Sequence, residues 1–392
     1  AQALTGGDNN RKRWQLNWRA RHVLLLTATP HMGKDFPYYC IWRLLQPTVL
    51  STYDAFLAFP KEAKKNHFIR RTKEEMVHYD GARIYPDRNS DTLSYELSQG
   101  EISEQALYDA TTGYIQSYYN KARLLNRSAA RFAMSIFQRR LASSTYALIC
   151  SFKRRIEKLE RIISDIQSGE ITFEQITLHQ KRLDEIEDIS ITKTADEEDV
   201  KEGQEEHEAI EDQALGGIIA TTLAELEVER QRVKDLLELS RKVYETGEES
   251  KFEKLRQIFT NSRYKDEKFI IFTEHRDTLN FLVRRLEGLG YTGRVAQIHG
   301  GMDYKERDSQ VEFFKKPRDE GGASYLVATD AAGEGINLQF CWIMINYDIP
   351  WNPARLEQRM GRIHRYGQEH DPVVIINLVA GKTREGRVLK TL

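Results

Sequence analysis

Cysteine is scarce: three residues in 392, at positions 40, 150 and 341, far apart and each in an apolar setting. No paired spacing links them, which excludes a disulfide framework and a zinc ribbon and predicts reduced core thiols in a cytoplasmic protein. Long apolar runs are also missing. No stretch approaches the roughly 20 unbroken apolar residues that a membrane span requires, so no membrane is expected among the partners. The chain opens at Ala1 on a polar run, without the charged stub and apolar core of a secretory leader. It also lacks an initiating Met, which reads as the mark of a fragment or of shifted numbering. Net charge is nearly absent at −1, yet it is unevenly spread. Between Asp184 and Asp212 stand 14 acids and two lysines, leaving 56 Lys+Arg against 45 Asp+Glu elsewhere. A basic body with one acidic insert is compatible with a nucleic-acid partner.

What is present falls into four blocks. Residues 1–47 hold a short apolar strand, His22–Thr27, broken by Ala28-Thr29-Pro30 and followed by an aromatic-rich helix through Trp42 to Leu45. Residues 48–100 mix a helix with the basic patch Phe68-Ile-Arg70-Arg71-Thr-Lys73 and a loop carrying Pro86. From 101 to 249 nearly everything reads as helix. Apolar residues from Leu124 to Leu141 recur at helical spacing, with Arg123, Arg127 and Arg131 on one flank. Two charged stretches, 152–185 and 218–243, predict long helical arms. The acidic run between them, 192–213, has few large apolar residues and reads as a solvated linker. The last block, 250–392, changes period. Apolar runs at 268–272, 324–328, 342–346 and 373–377 alternate with helical segments such as 276–289 and 303–315. Continuous apolar strands between helices predict an α/β fold with a parallel sheet covered on both faces. In such sheets functional groups collect beyond the carboxyl ends of the strands.

The strongest chemical signal is Gln358-Arg-Met-Gly-Arg362-Ile-His-Arg365-Tyr-Gly-Gln368. Two arginines three apart at a helix start project to one side. Guanidinium groups are permanent planar cations, suited either to a transferring γ-phosphate or simply to a solvated helix end. Upstream stands Val327-Ala-Thr329-Asp330-Ala-Ala-Gly333-Glu-Gly335-Ile-Asn337, a strand running into a loop whose glycines admit close backbone approach. With Asn346-Tyr-Asp-Ile-Pro-Trp351-Asn-Pro353 between them, these segments resemble motifs V and VI of superfamily-two helicases. The Trp-Asn-Pro step and the Gly-Gln ending are similar to the Swi/Snf class, including its bacterial RapA-like branch. Further segments follow in the family's order. Phe269–His275 resembles motif IV, Ile298-His299-Gly300-Gly301 with Arg307 the neighbouring block, Leu26–Pro30 motif III, and Phe68–Lys73 the basic segment between the lobes. Single elements of this kind are common; five in order are specific. A narrower resemblance, carried by Arg139–Leu148 and His31–Tyr38, is to a bacterial subfamily that includes the Swi/Snf-like helicase of DISARM phage-defence systems.

The resemblance implies roles position by position. Arg362 and Arg365 would be arginine fingers and Gln358 a γ-phosphate or coupling contact. Gly333, Gly335 and Asn337 would lie near ATP, while Thr27, Ala28 and Thr29 would couple nucleotide state to lobe position. Thr329, His299, Gly300, Arg70, Arg71, Arg127 and Arg131 would face nucleic acid, expected to be double-stranded DNA, and Arg139 and Arg140 are further candidates for phosphate contacts. For these arginines the competing expectation is pairing with acids on neighbouring helices. Trp351 is either functional or core, and His299 and His364 read as structural or hydrogen-bonding rather than as metal ligands. The family's cofactors are ATP and Mg²⁺, yet the sequence has no G-x-x-x-x-G-K-[ST] loop; Gly381-Lys382-Thr383 has Ile376 where the first glycine belongs. Asp196–Asp199 has no apolar strand before it and reads as linker, not as a Mg²⁺ box. The expectation is therefore a RecA-like second helicase lobe with a large helical insertion, able to dock protein partners. It would hydrolyse ATP only with the first lobe and be inactive alone. An RNA helicase and a non-catalytic nucleic-acid-binding module are the competing readings.

Overall fold

The apolar runs of the last block form the interior of one parallel sheet. The computed structural model describes residues 24–26, 35–46, 48–69, 71–124, 128–172, 175, 220, 222–264, 266–330, 336–350 and 353–381. Six strands pair in the order β1-β6-β5-β2-β4-β3. They are β1 (Arg88–Tyr95), β2 (Phe269–Thr273), β3 (Val295–Ile298), β4 (Tyr325–Thr329), β5 (Ile343–Asn346) and β6 (Val373–Ala380), and every pairing is parallel.

Alternation along the strands sends successive side chains to opposite faces. Phe269, Ile271, Val327, Ile343, Ile345, Val374 and Ile376 pack on one side with α8 (Ser250–Phe259) and α9 (Arg276–Leu286). Ile270, Phe272, Leu326, Met344, Val373 and Ile375 pack on the other, where Phe314 of α10 (Tyr304–Lys315) and Met360 of α11 (Pro353–Met360) cover them. Both faces are buried, which is why these strands read as unbroken apolar runs. The architecture is the α/β, RecA-like one expected. The two strands not expected are the two edges. β1, RNSDTLSY, is mostly exposed and belongs to the stretch read as inter-lobe, yet it pairs with β6 from Arg88–Val373 to Tyr95–Ala380. β3 is short, with Ala296 and Ile298 buried and Val295 and Gln297 partly buried.

Between β1 and β2 the chain makes a helical excursion: α4 (Glu104–Leu124), α5 (Ser128–Ser143), α6 (Thr145–Gln167) and α7 (Leu223–Glu245). On α6, Leu148, Phe152, Ile156, Leu159 and Ile163 follow the helical repeat and share a core with Leu226, Val233 and Leu237 of α7 and with Tyr114 and Phe137. Ser144 caps α6 by accepting from the Ala147 amide at 3.1 Å, and Thr222 caps α7 through the Glu225 amide at 3.3 Å. At the centre of this core Arg155 and Glu229 form an ion pair with both side chains 0% exposed. The Tyr114 hydroxyl donates to the same carboxylate at 3.0 Å. Of the expected arms, α6 and α7 supply the parts that fall on described residues.

The chain divides into two units, 1–76 with 192–198 and 77–191 with 199–392. In the first, α1 (Asp35–Leu45), α2 (Tyr53–Leu57) and α3 (Lys61–Lys65) gather Tyr39, Trp42, Leu50 and Phe56 into a small aromatic core. The expected helix through Trp42 to Leu45 is α1. Among the described residues no helix is long and apolar enough to cross a membrane, and Cys40, Cys150 and Cys341 are free thiols.

Candidate functional site

Because all six strands run parallel, their carboxyl ends open on one edge of the sheet. Glu274 and His275 leave β2 there, His299 to Gly301 leave β3, Asp330 leaves β4 and Asp348 follows β5. The arginine motif lies just beyond. α11 ends at Met360, so Arg362 and Arg365 stand on the tight turns after the helix and not at a helix start. Those turns are held by amide bonds from Gly361 to Glu357 (2.8 Å), Arg362 to Arg359 (2.9 Å) and His364 to Met360 (3.0 Å). Ile363 plugs the core below. His364 Nε2 donates to the Pro86 carbonyl at 2.9 Å, a structural bond in keeping with its expected role. Gly367 has φ +84°, a conformation that favours glycine, and a Cβ there would lie 3.2 Å from the side-chain Nε2 of Gln339. Gln368 then donates to the carbonyls of Cys341 (3.2 Å) and Ile363 (3.1 Å), closing the turn onto the entrance to β5.

Arg359 organises this corner. It is 3% exposed, donates from Nε and, at 2.8 Å, from Nη2 to the Asp330 carboxylate, and from Nη1 to Asn346 Oδ1 (3.2 Å) and the Asp348 carbonyl (2.5 Å). One buried guanidinium thus ties the exits of β4 and β5 to the helix that launches Arg362 and Arg365. The Arg362 carbonyl in turn accepts from the Leu338 amide at 3.3 Å. Arg362 and Arg365 are partly exposed and Gln358 is exposed. Among the described residues no carboxylate pairs with Arg365. Asn337 is exposed, and its Oδ1 accepts from the Gln339 amide at 3.2 Å.

A second cationic group surrounds the turn after β3. Arg307 Nη2 donates to the Gly300 carbonyl at 2.7 Å. A Cβ at Gly301 would lie 3.3 Å from Arg276 Nη1, so the glycine lets that guanidinium close over the turn. His299 is half-buried; burial first, then the charges of Arg276 and Arg307, push its pKa down and favour the neutral ring. Tyr304, 82% exposed, stands at the start of α10 beside this cluster. Thr329, expected on the nucleic-acid side, is buried at the end of β4, with only 4% of its surface exposed.

Between this edge and the helical excursion lies a buried polar hub. Asp348 accepts from Lys251 Nζ (2.7 Å), Ser143 Oγ (2.7 Å), Thr273 Oγ1 (2.5 Å) and the Glu274 amide (3.2 Å). Burial alone would raise its pKa, but the Lys251 ammonium, His275 and these hydrogen bonds outweigh it and hold the carboxyl at about 2. Arg139 pairs with Glu274 at 2.6 Å, and Arg140 and Arg154 both pair with Asp277 at 2.8 Å. Of the two expectations for Arg139 and Arg140, pairing with acids is the one seen: Glu274 follows β2, Asp277 sits in the first turn of α9, and Arg140 is buried. Arg71 is exposed in the first unit. Thr27, Ala28, Thr29, Arg70, Arg127, Gly333, Gly335 and Trp351, with the Arg131 side chain, lie outside the described residues.

Sequence reading passed over Arg359, Asp348, Arg276, Lys251 and Ser143. The first two stand inside quoted motifs, and an acid directly after an apolar strand was an available signal. Lys251 and Ser143 meet Asp348 across 97 and 205 residues of chain, with no local signature.

The chain is similar to known helicases. Residues 250–367 match the helicase conserved C-terminal domain. The chain is 27% identical over 380 residues to an uncharacterized ATP-dependent helicase, YqhH, of Bacillus subtilis, covering 95% of this chain and 53% of that protein. It is 36% identical over 110 residues to the RNA polymerase-associated protein RapA of Vibrio cholerae, covering 27% of this chain and 11% of RapA. A solved structure of the C-terminal part of the Fun30 ATPase domain overlays with a TM-score of 0.41 at 20% identity, covering 78% of this chain and 89% of that one. The similarity to the helicase C-terminal domain thus lies in residues 250–367, and the chain spans about half the length of its Bacillus relative.

Proposed function

We propose that this chain is the carboxyl-terminal part of a Swi/Snf-type, RapA-like motor that hydrolyses ATP to move along double-stranded DNA. The observation that carries the reading is the arginine turn. Arg359 is locked between Asp330, Asn346 and Asp348, so Arg362 and Arg365 leave a rigid, buried base at the open edge of the sheet. Two preorganised guanidinium groups fit the phosphate end of ATP, where they would neutralise charge as the γ-phosphoryl group transfers. The phosphate-cradling loop and the Mg²⁺ carboxylates are not in this sequence and would come from a first lobe. Gln358 and Asn337 stand beside the arginines as nucleotide-side contacts. His299, Gly300 and the basic patch at Arg71 would follow the DNA backbone, and the helical excursion would offer a surface to a protein partner. A role in phage defence is supported by the tracts Arg139–Leu148 and His31–Tyr38 alone.

The test is Arg365→Ala in the intact motor. The turnover number should fall by about 10³, the scale of a lost arginine finger, with DNA affinity kept. Equal losses of rate and affinity would make Arg365 a backbone contact and overturn the assignment. ATPase activity stimulated by RNA in preference to duplex DNA would overturn the choice of track. The isolated chain should hydrolyse ATP no faster than background.

A further inference from the structure

The helical excursion interrupts the sheet between β1 and β2, and the obvious role for such an insert is to brace the lobe. Its contact with the sheet is of another kind. α5 ends at Ser143, whose hydroxyl donates to Asp348 Oδ2 at 2.7 Å and shares a 2.6 Å hydrogen bond with Thr278 of α9. Lys251 caps the same helix end, donating to the Ala142 carbonyl at 2.8 Å, and binds Asp348 Oδ1 at 2.7 Å. Asp348 is thus held by the insert through its side chain, while its main-chain carbonyl receives Arg359. Arg359 lies three residues before Arg362, and its own carbonyl accepts the Arg362 amide. From the end of α5 to the arginine turn the path is two side chains long, every link is at hydrogen-bond distance, and Asp348 and Arg359 are buried.

We propose that Asp348 is a positioning residue: it reads the placement of the helical insertion through Ser143 and sets the arginine turn through Arg359. The inference rests on the reading of Arg362 and Arg365 given above. Physically, a carboxylate with four donors has no slack. Moving the end of α5 must move Asp348 or break a buried charge-assisted bond, and the Asp348 carbonyl carries Arg359 with it. A partner bound to the insert would then alter turnover without touching ATP.

Two measurements separate this from a bracing role. In the chain itself, hydrogen exchange reports each amide. Ser143→Ala, which leaves Lys251 and Thr273 on Asp348, should speed exchange at Arg362, Ile363 and His364 roughly tenfold, with β3 and β4 unchanged. Uniform acceleration, or none at the turn, would overturn the proposal. In the intact motor, Ser143→Ala and Asp348→Asn should lower kcat roughly 10- to 100-fold, the cost of a small misplacement, with KM for ATP and DNA affinity held. Ser143→Thr, which restores the hydroxyl, should rescue. Should Asp348→Asn fail to fold, Ser143→Ala decides alone. Arg365→Ala is run in parallel. If it abolishes turnover while Ser143→Ala does not slow it, the positioning role falls and the arginine reading stands. If Arg365→Ala leaves turnover intact, the arginine reading itself falls.

Discussion

Arg139, Arg140, Arg154 and Arg155 of the helical excursion and Arg276, Arg307 and Arg365 at the open edge of the sheet have the same chemistry and opposite surroundings. In the excursion and at its junction, Arg139, Arg140, Arg154 and Arg155 each meet a carboxylate, and Arg155 with Glu229 is sealed from solvent. At the edge, Arg307 meets the Gly300 carbonyl, Arg276 meets a glycine turn and a histidine, and among the described residues no carboxylate pairs with either or with Arg365. A buried cation without an acid is costly, so helix arginines facing a core are matched. A cation meant for a phosphate must keep its charge uncompensated. Which kind an arginine is depends on what faces it, not on its helix or its neighbours in sequence.

Breaking the matched set should have the largest effect. Arg155→Met strands a buried Glu229 carboxylate and should cost about 3–5 kcal/mol in urea unfolding. Arg155→Met with Glu229→Leu should recover most of that, because no unpaired charge is left buried, and losses that simply add would show that the two side chains are not coupled.

The junction also holds an acid short of cations. Glu249 is buried. Burial first, then the nearby Glu104 carboxylate, push its pKa up to about 7 against the pull of a Thr145 hydrogen bond, Arg285 and Lys251. The folded chain therefore keeps a proton that the unfolded chain releases near pH 4. The resulting stability is full below that pH and lost as pH rises through about 7. Glu249→Gln should remove this slope and raise stability at pH 8 by on the order of 2 kcal/mol. A slope that survives the substitution would assign it to another group.

Arg140→Gln should be milder, about 1–2 kcal/mol, because Arg154 still holds Asp277. The salt dependence of DNA binding by the intact motor should not change. Arg276→Gln should do the reverse. Melting should shift within about 0.5 kcal/mol, while the slope of log K against log salt flattens by roughly 0.9. A flattened slope for Arg140→Gln, or an unchanged one for Arg276→Gln, would dissolve the distinction.

How much of this was legible follows from burial. The interior strands β2, β4, β5 and β6 are covered on both faces, so their apolar runs announce them. Edge strand β1 is largely exposed and polar, with only Leu93 against the core, and edge strand β3 is just four residues with Gln297 among them. The arginine motif was readable because its spacing is local, although the helix was expected to begin where it in fact ends. For Arg139 and Arg140 the sequence left phosphate and acid partners open, because a helix face tells which residues are charged, not that Glu274 and Asp277 will meet them from other elements. Ser143, Lys251 and Asp348 converge only after folding, and no window of sequence contains them.

The placement of β1 bears on how the polypeptide can be divided. The sheet's edge strand is made before the helical excursion, and its one strand neighbour among the described residues, β6, follows the other four strands in sequence. The order of synthesis is thus not the order of assembly, and the ladder between β1 and β6 cannot form until everything from Arg88 to Ala380 has been made. It also means that the two halves hold each other without a covalent link, through β1 on β6 and α6 on α7. A chain severed between Gln167 and Leu223 should therefore behave as a split protein, its two pieces poorly folded apart and able to reassemble into one sheet and one helical core when co-expressed.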